Sequence, residues 1–346
     1  MIATRSRRAA LGAALVALIV LPSAVTLTLV SPAGGQERSR LVLWHSYGER
    51  EERGLAAAVA AFEQQHAGID VQVNAIPFGA YASKLEAAIP VRRGPDLFID
   101  AHDRLPSYLE AGLLQPFGAL DPALEDDLER AHLDVLTADG TLYALPLSVK
   151  SAVLFVNDAL VGEHAIESLE DLEALRSELP EGSFPLAWDA DDAYQFAALL
   201  HAYDGALLDD EGRYGFASPA AERALEHLLR LMHARVIPEE TSYELVRDLF
   251  RGGRAAAAIS GPWFANDLGA ELRWSVHPLP IVRAAGDRAM TPFATVESAM
   301  IAEGARDPEG ARLLASFLGG REGALLRALE GDHIVASRSA WQEPRR

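Results

Sequence analysis

The sequence predicts an α/β protein, and three observations support that class. Apolar segments of strand type alternate with segments of helical periodicity, which is typical of α/β sheets. The chain has 346 residues, of which 49% are hydrophobic, enough for two domains with real cores. Charged and aromatic side chains gather directly after the predicted strands, where open α/β sheets place their ligands.

The first hundred residues alternate strand, helix, strand, helix, strand, which indicates a parallel sheet. The predicted strands are residues 40–45, 69–75 and 96–100, and the predicted helices are residues 48–66 and 80–89. Leu55, Val59 and Phe62 recur at helical spacing within the first helix. Asp103 is predicted to cap a third helix that continues to Ala111.

The rest of the chain continues this alternation. Further strands are predicted at residues 143–147, 152–156, 255–260 and 294–301. Further helices are predicted at residues 169–178, 193–203, 220–233, 243–251, 307–318 and 322–329.

The N-terminus is typical of an export signal. Arg5, Arg7 and Arg8 precede an apolar stretch at residues 9–30, and small residues follow at 33–35. We therefore predict a signal at residues 1–35 and a periplasmic or other extracytoplasmic location. The alternative is an uncleaved anchor, since the apolar stretch approaches the length of a membrane span.

The charge and the absence of cysteine exclude several classes of function. Lys and Arg number 31 against 50 Asp and Glu, and without residues 1–35 the net charge is −22. Nucleic acid and anionic membrane surfaces repel such a chain, so we expect membrane contact only through the signal, an anchor or a membrane partner. With no cysteine, disulfides, thiolate metal sites and lipoprotein acylation are excluded.

Five clusters of polar and aromatic residues lie where strands of such a sheet are expected to end. They lie at residues 45–49, 100–104, 148–150, 188–194 and 261–263. Aromatic rings cover the C–H face of a sugar, while carboxylates and Arg form charge-assisted hydrogen bonds with its hydroxyls. The clusters therefore favour a saccharide ligand.

Three of these segments resemble the periplasmic maltose/maltodextrin-binding proteins, part of family 1 of the extracellular solute-binding proteins that serve ABC importers. The segments are GPDLFIDAHDRLPSYLEAGLL (94–114), LYALPLSVKSAVLFVN (142–157) and ISGPW (259–263). The resemblance runs from about Leu41 to Trp341. It implies two α/β lobes joined by crossing segments that close over the ligand like a hinge. The implied lobes are residues 40–147 with 290–341, and residues 148–289.

The resemblance also implies which residues bind the saccharide. In the first lobe these are Asp103 and Arg104, with Glu49 and Arg50, beside Ser46 in the same cluster. In the second lobe they are Asp192, Tyr194, Tyr243 and Trp263, the last as a stacking platform. The implied partners are a small saccharide and the permease subunits of an ABC importer, without a cofactor.

Two substitutions and the length depart from the family pattern. Asp100 stands where the family has Trp, and Lys150 stands where it has Glu. Lys150 is expected to pair with Asp192 or Asp103, or to meet an anionic group of an acidic sugar. The chain also ends soon after Trp341, so the C-terminal helices are expected to be shortened. Either the second lobe is smaller, or another polypeptide completes it.

Other interpretations stay open for single residues and for the whole chain. Asp103 is also a plausible plain helix cap, and Trp263 or Tyr194 a core residue. Asp103, Asp192 and Glu49 suggest a glycosidase pair, but Arg104 would keep the pKa of Asp103 low. A tethered carbohydrate sensor is a further alternative. No pair of His has metal-ligand spacing, so no metal is expected.

Overall fold

The computed structural model describes residues 38–208, 211–269 and 271–342. The predicted export signal at residues 1–35 lies outside the described residues. Within the described part, no helix combines the length and apolar character needed to span a membrane.

Strands occur along the whole described chain. They are β1 (Ser39–His45), β2 (Ile69–Ala75), β3 (Leu97–Ala101), β4 (Thr137–Ala138), β5 (Thr141–Leu142), β6 (Ala144–Ser151), β7 (Val153–Asn157), β8 (Phe184–Trp188), β9 (Ala255–Ser260), β10 (Trp274–His277), β11 (Ile281–Val282), β12 (Arg288–Ala289) and β13 (Ala294–Ile301).

Helices connect most of these strands. They are α1 (Glu49–Gln65), α2 (Phe78–Ala88), α3 (Leu105–Glu110), α4 (Pro122–Asp127), α5 (Arg130–Asp134), α6 (Asp158–Val161), α7 (Leu169–Ala174), α8 (Ala193–Ala202), α9 (Pro219–His233), α10 (Tyr243–Arg251), α11 (Phe264–Asp267), α12 (Pro308–Gly319), α13 (Arg321–Gly331) and α14 (Arg338–Trp341).

Two larger sheets organise these elements. The first has the strand order β2-β1-β3-β13-β6 and the second the order β10-β7-β9-β8. Each sheet is covered on both faces by buried apolar side chains. In the first sheet α1 and α12 cover one face, and α2 and α3 cover the other. In the second, α7 to α9 cover one face, and α10 and α11 cover the other.

The parallel pairing predicted for the first three strands is confirmed, but both larger sheets also contain antiparallel pairs. β1 pairs in parallel with β2 and β3, but β13 is antiparallel to both β3 and β6. The reason lies in the crossings between the sheets. β6 leaves the first sheet and continues through Ala152 into β7 of the second, whereas β13 enters the first sheet from the other direction. Two crossing strands that lie side by side must therefore run in opposite directions.

Candidate functional site

The β1–α1 loop carries the first predicted ligand residues. Ser46 is half-buried, Tyr47 is buried, and Glu49 and Arg50 are exposed at the start of α1. Arg50 forms an ion pair with Asp332, with 2.7 Å between its Nη1 and the carboxylate. Exposed pairs of this kind contribute little free energy, so Arg50 can exchange Asp332 for a hydroxyl at small cost.

Asp100, at the end of β3, is a structural residue of the first sheet. Its carboxylate accepts hydrogen bonds from the Tyr108 hydroxyl at 2.5 Å and from the Ala101 amide at 2.9 Å. Burial raises the pKa of Asp100, while the bond from Tyr108 opposes that shift. The side chain is only 5% exposed. Its charge is therefore compensated from within the fold.

The predicted helix cap at Asp103 is wrong. Asp103 lies inside a 3-10 turn, His102–Arg104, and neither this turn nor α3 has a side-chain cap. The extended residue before the turn is Ala101, whose methyl group cannot accept a hydrogen bond, and Arg104 before α3 already has helical backbone angles. The Asp103 carboxylate is exposed, while Arg104 lies over the ring of Phe78 at 5.5 Å. Both side chains thus remain at the end of β3, where the resemblance places them.

Lys150 does not form the ion pairs expected from the sequence. Its Nζ lies 2.8 Å from Glu51 Oε1 and 3.0 Å from Glu297 Oε1, instead of pairing with Asp192 or Asp103. Glu51 and Glu297 are 99 and 147 residues away along the chain, and only the packing of β13 and α1 brings them together.

The loop after β8 carries three carboxylates, Asp189, Asp191 and Asp192, which we call the acidic loop. Asp192 caps α8 by accepting a hydrogen bond from the Gln195 amide at 3.1 Å. Burial, followed by a hydrogen bond with Asp191, raises the pKa of Asp189 to about 6. Asp191 itself accepts a hydrogen bond from Thr241. The loop is thus rich in hydrogen-bond acceptors, and Asp189 keeps its proton to a higher pH than an ordinary aspartate.

Tyr194 connects the second sheet to the crossing strand β13. Its hydroxyl accepts a hydrogen bond from Thr295 Oγ1 at 3.3 Å and donates to the Phe293 carbonyl at 3.5 Å. Burial raises the pKa of this hydroxyl, and the charges of Asp103 and Asp192 add to the shift. Carboxylates that follow strands of both sheets therefore act on one half-buried hydroxyl.

Trp263 follows β9 of the second sheet, and Tyr243 begins α10, the helix before that strand. The half-buried Trp263 ring folds over Gly261, and a Cβ at that position would lie 2.2 Å from the ring. Gly261 therefore has to be glycine for the ring to lie there. The Tyr243 hydroxyl donates to Asp267 at 2.6 Å, and its ring packs against Phe264. Tyr243 thus ties α10 to α11.

No group of three or more potential metal-ligating side chains occurs among the described residues. The candidate residues are instead aromatic rings, carboxylates and the guanidinium groups of Arg50 and Arg104, which pair with Asp332 and Asp100. A profile of the bacterial extracellular solute-binding proteins matches residues 48–325. The chain belongs to this family.

Two relatives are named for the oligosaccharides that they bind. This solute-binding protein is 25% identical to the galactooligosaccharide-binding protein of Bacillus subtilis, over 94% of the chain and 82% of the relative. It is 24% identical to the maltotriose-binding protein of Pyrococcus abyssi, over 79% of the chain. The match spans only 60% of the length of that second relative.

Solved structures agree with the two-sheet fold. The maltotriose-binding protein of Thermus thermophilus superposes with a TM-score of 0.77 at 23% identity, covering 87% of this chain and 82% of the other. The predicted α/β, two-lobe fold class is confirmed, as is the resemblance on which it depended.

Sequence analysis missed two exposed rings near the site. Phe78 starts α2 beyond the end of β2, is 66% exposed and lies under the Arg104 guanidinium. Phe293 precedes β13, packs beside Tyr194 and is 36% exposed. Neither ring belongs to a cluster of ionisable residues at a predicted strand end. The signal for Phe78 is an aromatic residue within three positions of the end of the predicted strand 69–75.

Proposed function

We propose that the protein captures a maltooligosaccharide-like saccharide outside the cytoplasm and delivers it to the permease subunits of an ABC importer. The arrangement around Tyr194 carries this proposal. The half-buried Tyr194 is hydrogen-bonded to Thr295 of β13, and the charges of Asp103 and Asp192 both act on its hydroxyl. Rings and carboxylates in that arrangement match the apolar faces and hydroxyls of a sugar.

The proposed mechanism is capture by closure of two lobes, residues 40–147 with 290–341 and residues 148–289. Ser46, Glu49, Arg50, Asp103 and Arg104 offer polar groups in the first lobe. Asp192, Tyr194, Tyr243 and Trp263 offer acceptors and rings in the second. A ligand shifts the equilibrium towards the closed state only by its higher affinity for that state. Contact with both lobes supplies this difference.

We propose binding without catalysis. A glycosidase needs two carboxyl groups that flank the scissile bond, one of them with a raised pKa. Two carboxyl groups here have a raised pKa, Asp100 and Asp189. Asp100 is buried and accepts a hydrogen bond from Tyr108, and the partner of Asp189 is Asp191, two residues away in the same loop. We therefore propose that neither serves as the acid of a glycosidase pair. A turnover assay with maltooligosaccharides is expected to release no product.

Calorimetric titration of the purified protein tests the function. We expect maltotriose or a galactooligosaccharide to bind with a Kd of about 1 μM or below, roughly −8 kcal/mol. Absence of binding to every neutral oligosaccharide, by a protein with an intact fold, would refute the proposal. Saturable binding together with hydrolysis of the oligosaccharide would instead support the alternative that the protein is a glycosidase.

A further inference from the structure

A cluster of buried charges lies where the crossing strands meet the first sheet. We call Tyr47, Glu51, Lys150 and Glu297 the crossing cluster. The Lys150 ammonium lies 2.8 Å from Glu51 and 3.0 Å from Glu297. The side chains of Lys150, Glu51 and Glu297 are only 12 to 14% exposed. Charges that are so far removed from water are tolerated only when they are paired and hydrogen-bonded.

The three charges belong to three different elements. Lys150 lies on β6, the strand that leaves the first sheet, and Glu297 lies on β13, the strand that enters it. Glu51 lies in the first turn of α1, directly after the β1–α1 loop. One ammonium therefore joins both crossing strands to the helix that follows a predicted ligand loop.

Tyr47 connects this cluster to the loop itself. Its hydroxyl donates to Glu297 Oε2 at 2.7 Å, and the Lys150 ammonium lies 5.4 Å from its ring centroid. Tyr47 stands between Ser46 and Glu49, two of the predicted ligand residues. The conformation of the loop is thus held by groups on the crossing strands.

Neighbouring elements enclose the cluster. His333 packs edge-on against the Tyr47 ring at 4.8 Å and bonds to the Glu51 carbonyl through Nε2 at 2.9 Å. The buried Arg327 donates to the Leu147 carbonyl at 2.7 Å and to Ser148 at 3.2 Å. His333 thus packs against two members of the cluster, and Arg327 of α13 holds the β6 strand on which Lys150 lies.

The positive charge of the Lys150 ammonium is already balanced by carboxylates of the protein. Burial works to lower the pKa of Lys150, but the charges of Glu297 and Glu51 outweigh it and raise the pKa above its usual value. A carboxylate on a ligand would meet two protein carboxylates around one ammonium. Like charges at that range repel each other.

We propose that Lys150 is a positioning residue, which ties both crossing strands to the β1–α1 loop and so holds Ser46 and Glu49 for a saccharide, and that it is not the partner of a ligand anion. This deepens the proposed function and rests on it. A direct consequence is that the site prefers uncharged saccharides over acidic ones.

The test compares Lys150→Met with Lys150→Arg and Lys84→Met. The chain has two lysines, and Lys84 is exposed above the Trp44 ring, so it provides a matched control. The ligands are maltotriose and a maltotriose with one primary hydroxyl oxidised to carboxylate. Calorimetry measures both dissociation constants for each variant and for the wild type.

We expect the wild type to bind maltotriose at least about tenfold more tightly than the acidic analogue. Lys150→Met is expected to weaken maltotriose binding about tenfold or more, because the buried carboxylates lose their partner. Lys150→Arg should restore most of the affinity, since a guanidinium reaches both carboxylates. Unchanged maltotriose binding in Lys150→Met, with loss of the acidic analogue alone, would overturn the proposal.

A second measurement needs no ligand and separates this inference from the proposed function. Hydrogen exchange reports the opening of the β1–α1 loop, where the Tyr47 amide donates to His45 Nδ1 at 3.1 Å. We expect about tenfold faster exchange at residues 46–48 in Lys150→Met and wild-type exchange in Lys84→Met. If Lys150→Met does not fold, Glu51→Gln serves the same comparison. Equal exchange in wild type and folded variant would refute the positioning role even if no saccharide binds.

Discussion

The crossing cluster and the acidic loop both contain several carboxylates, but they stabilise these charges in opposite ways. In the crossing cluster the carboxylates are buried and share one ammonium, Lys150. In the acidic loop Asp191 and Asp192 are exposed, and their hydrogen bonds come from neutral donors, Thr241 and the Gln195 amide. In the crossing cluster, groups of the protein itself pair with all the charges. In the acidic loop, the exposed carboxylate oxygens can still accept further hydrogen bonds.

Under the proposed function, this contrast would separate residues that shape the site from residues that touch its ligand. A buried, paired charge can be removed only at a large cost in folding free energy, whereas an exposed acceptor can be changed with a small cost. Variants should therefore divide into those that change stability and those that change affinity. The predictions below test that division, beginning with the largest effect.

Glu297→Ala is expected to destabilise the protein most. The change leaves Lys150 with Glu51 alone and leaves the Tyr47 hydroxyl without its acceptor. Breaking a buried pair by removing one partner costs about 3–5 kcal/mol. Urea denaturation measures this change, with Asp191→Ala in the acidic loop as the control. A loss below about 1 kcal/mol would show that the charges of the crossing cluster are not paired in the way described.

Trp263→Ala is expected to act on affinity instead. The ring is half-buried over Gly261, so its removal costs little packing but takes away a stacking surface. Loss of such an aromatic contact typically weakens binding by about 2–3 kcal/mol, a factor of about 30 to 150. Calorimetry with maltotriose measures the affinity, and urea denaturation controls for the fold. A fall in stability of similar size would assign Trp263 to the core.

His333 makes the stability beside the crossing cluster depend on pH. Burial, followed by the charge of Arg327, lowers the pKa of His333 from 6.5 to about 3. Between these values the unfolded chain binds a proton that the folded protein does not bind. This contribution to stability is therefore complete above about pH 6.5 and decreases as the pH falls towards 3, by at most about 1.4 kcal/mol per unit.

The matched variants are His333→Gln and, as control, His164→Gln at the surface. Denaturation at pH 6.5, 5.5 and 4.5 should show a shallower pH dependence in His333→Gln than in the wild type. The control should keep the wild-type slope. Equal slopes in all three proteins would mean that His333 is protonated in the native state.

Asp192→Asn is expected to have the smallest effect on the fold. Asn caps a helix about as well as Asp, so the free energy of unfolding should change by less than about 0.5 kcal/mol. The charge-assisted bond to a ligand hydroxyl is lost, which should weaken maltotriose binding several-fold, about 1 kcal/mol. Asp192→Ala provides the comparison, because it removes both the cap and the charge. Unchanged affinity in Asp192→Asn would leave Asp192 with the helix cap alone.

Local pattern was sufficient for most of the elements. Apolar alternation predicted the strand at residues 69–75, which matches β2, and helical spacing predicted residues 243–251, which match α10. These patterns are readable because a strand or helix buries one face within a short window of sequence. The strands β8 and β10 escaped prediction. β8 is short and almost wholly buried, so it shows no alternation, and β10 is a four-residue strand that is half exposed.

The sequence by itself determined the α/β class, the strand ends at which polar residues gather, and the family. Only the tertiary structure decided what those polar residues do. Asp100 is satisfied by Tyr108, and Lys150 by Glu51 and Glu297. The physical reason is that a charge in a low-dielectric interior takes the nearest available partner in space. For Lys150 the partners lie on other elements, 99 and 147 residues away along the chain. A local sequence pattern therefore cannot predict such a contact.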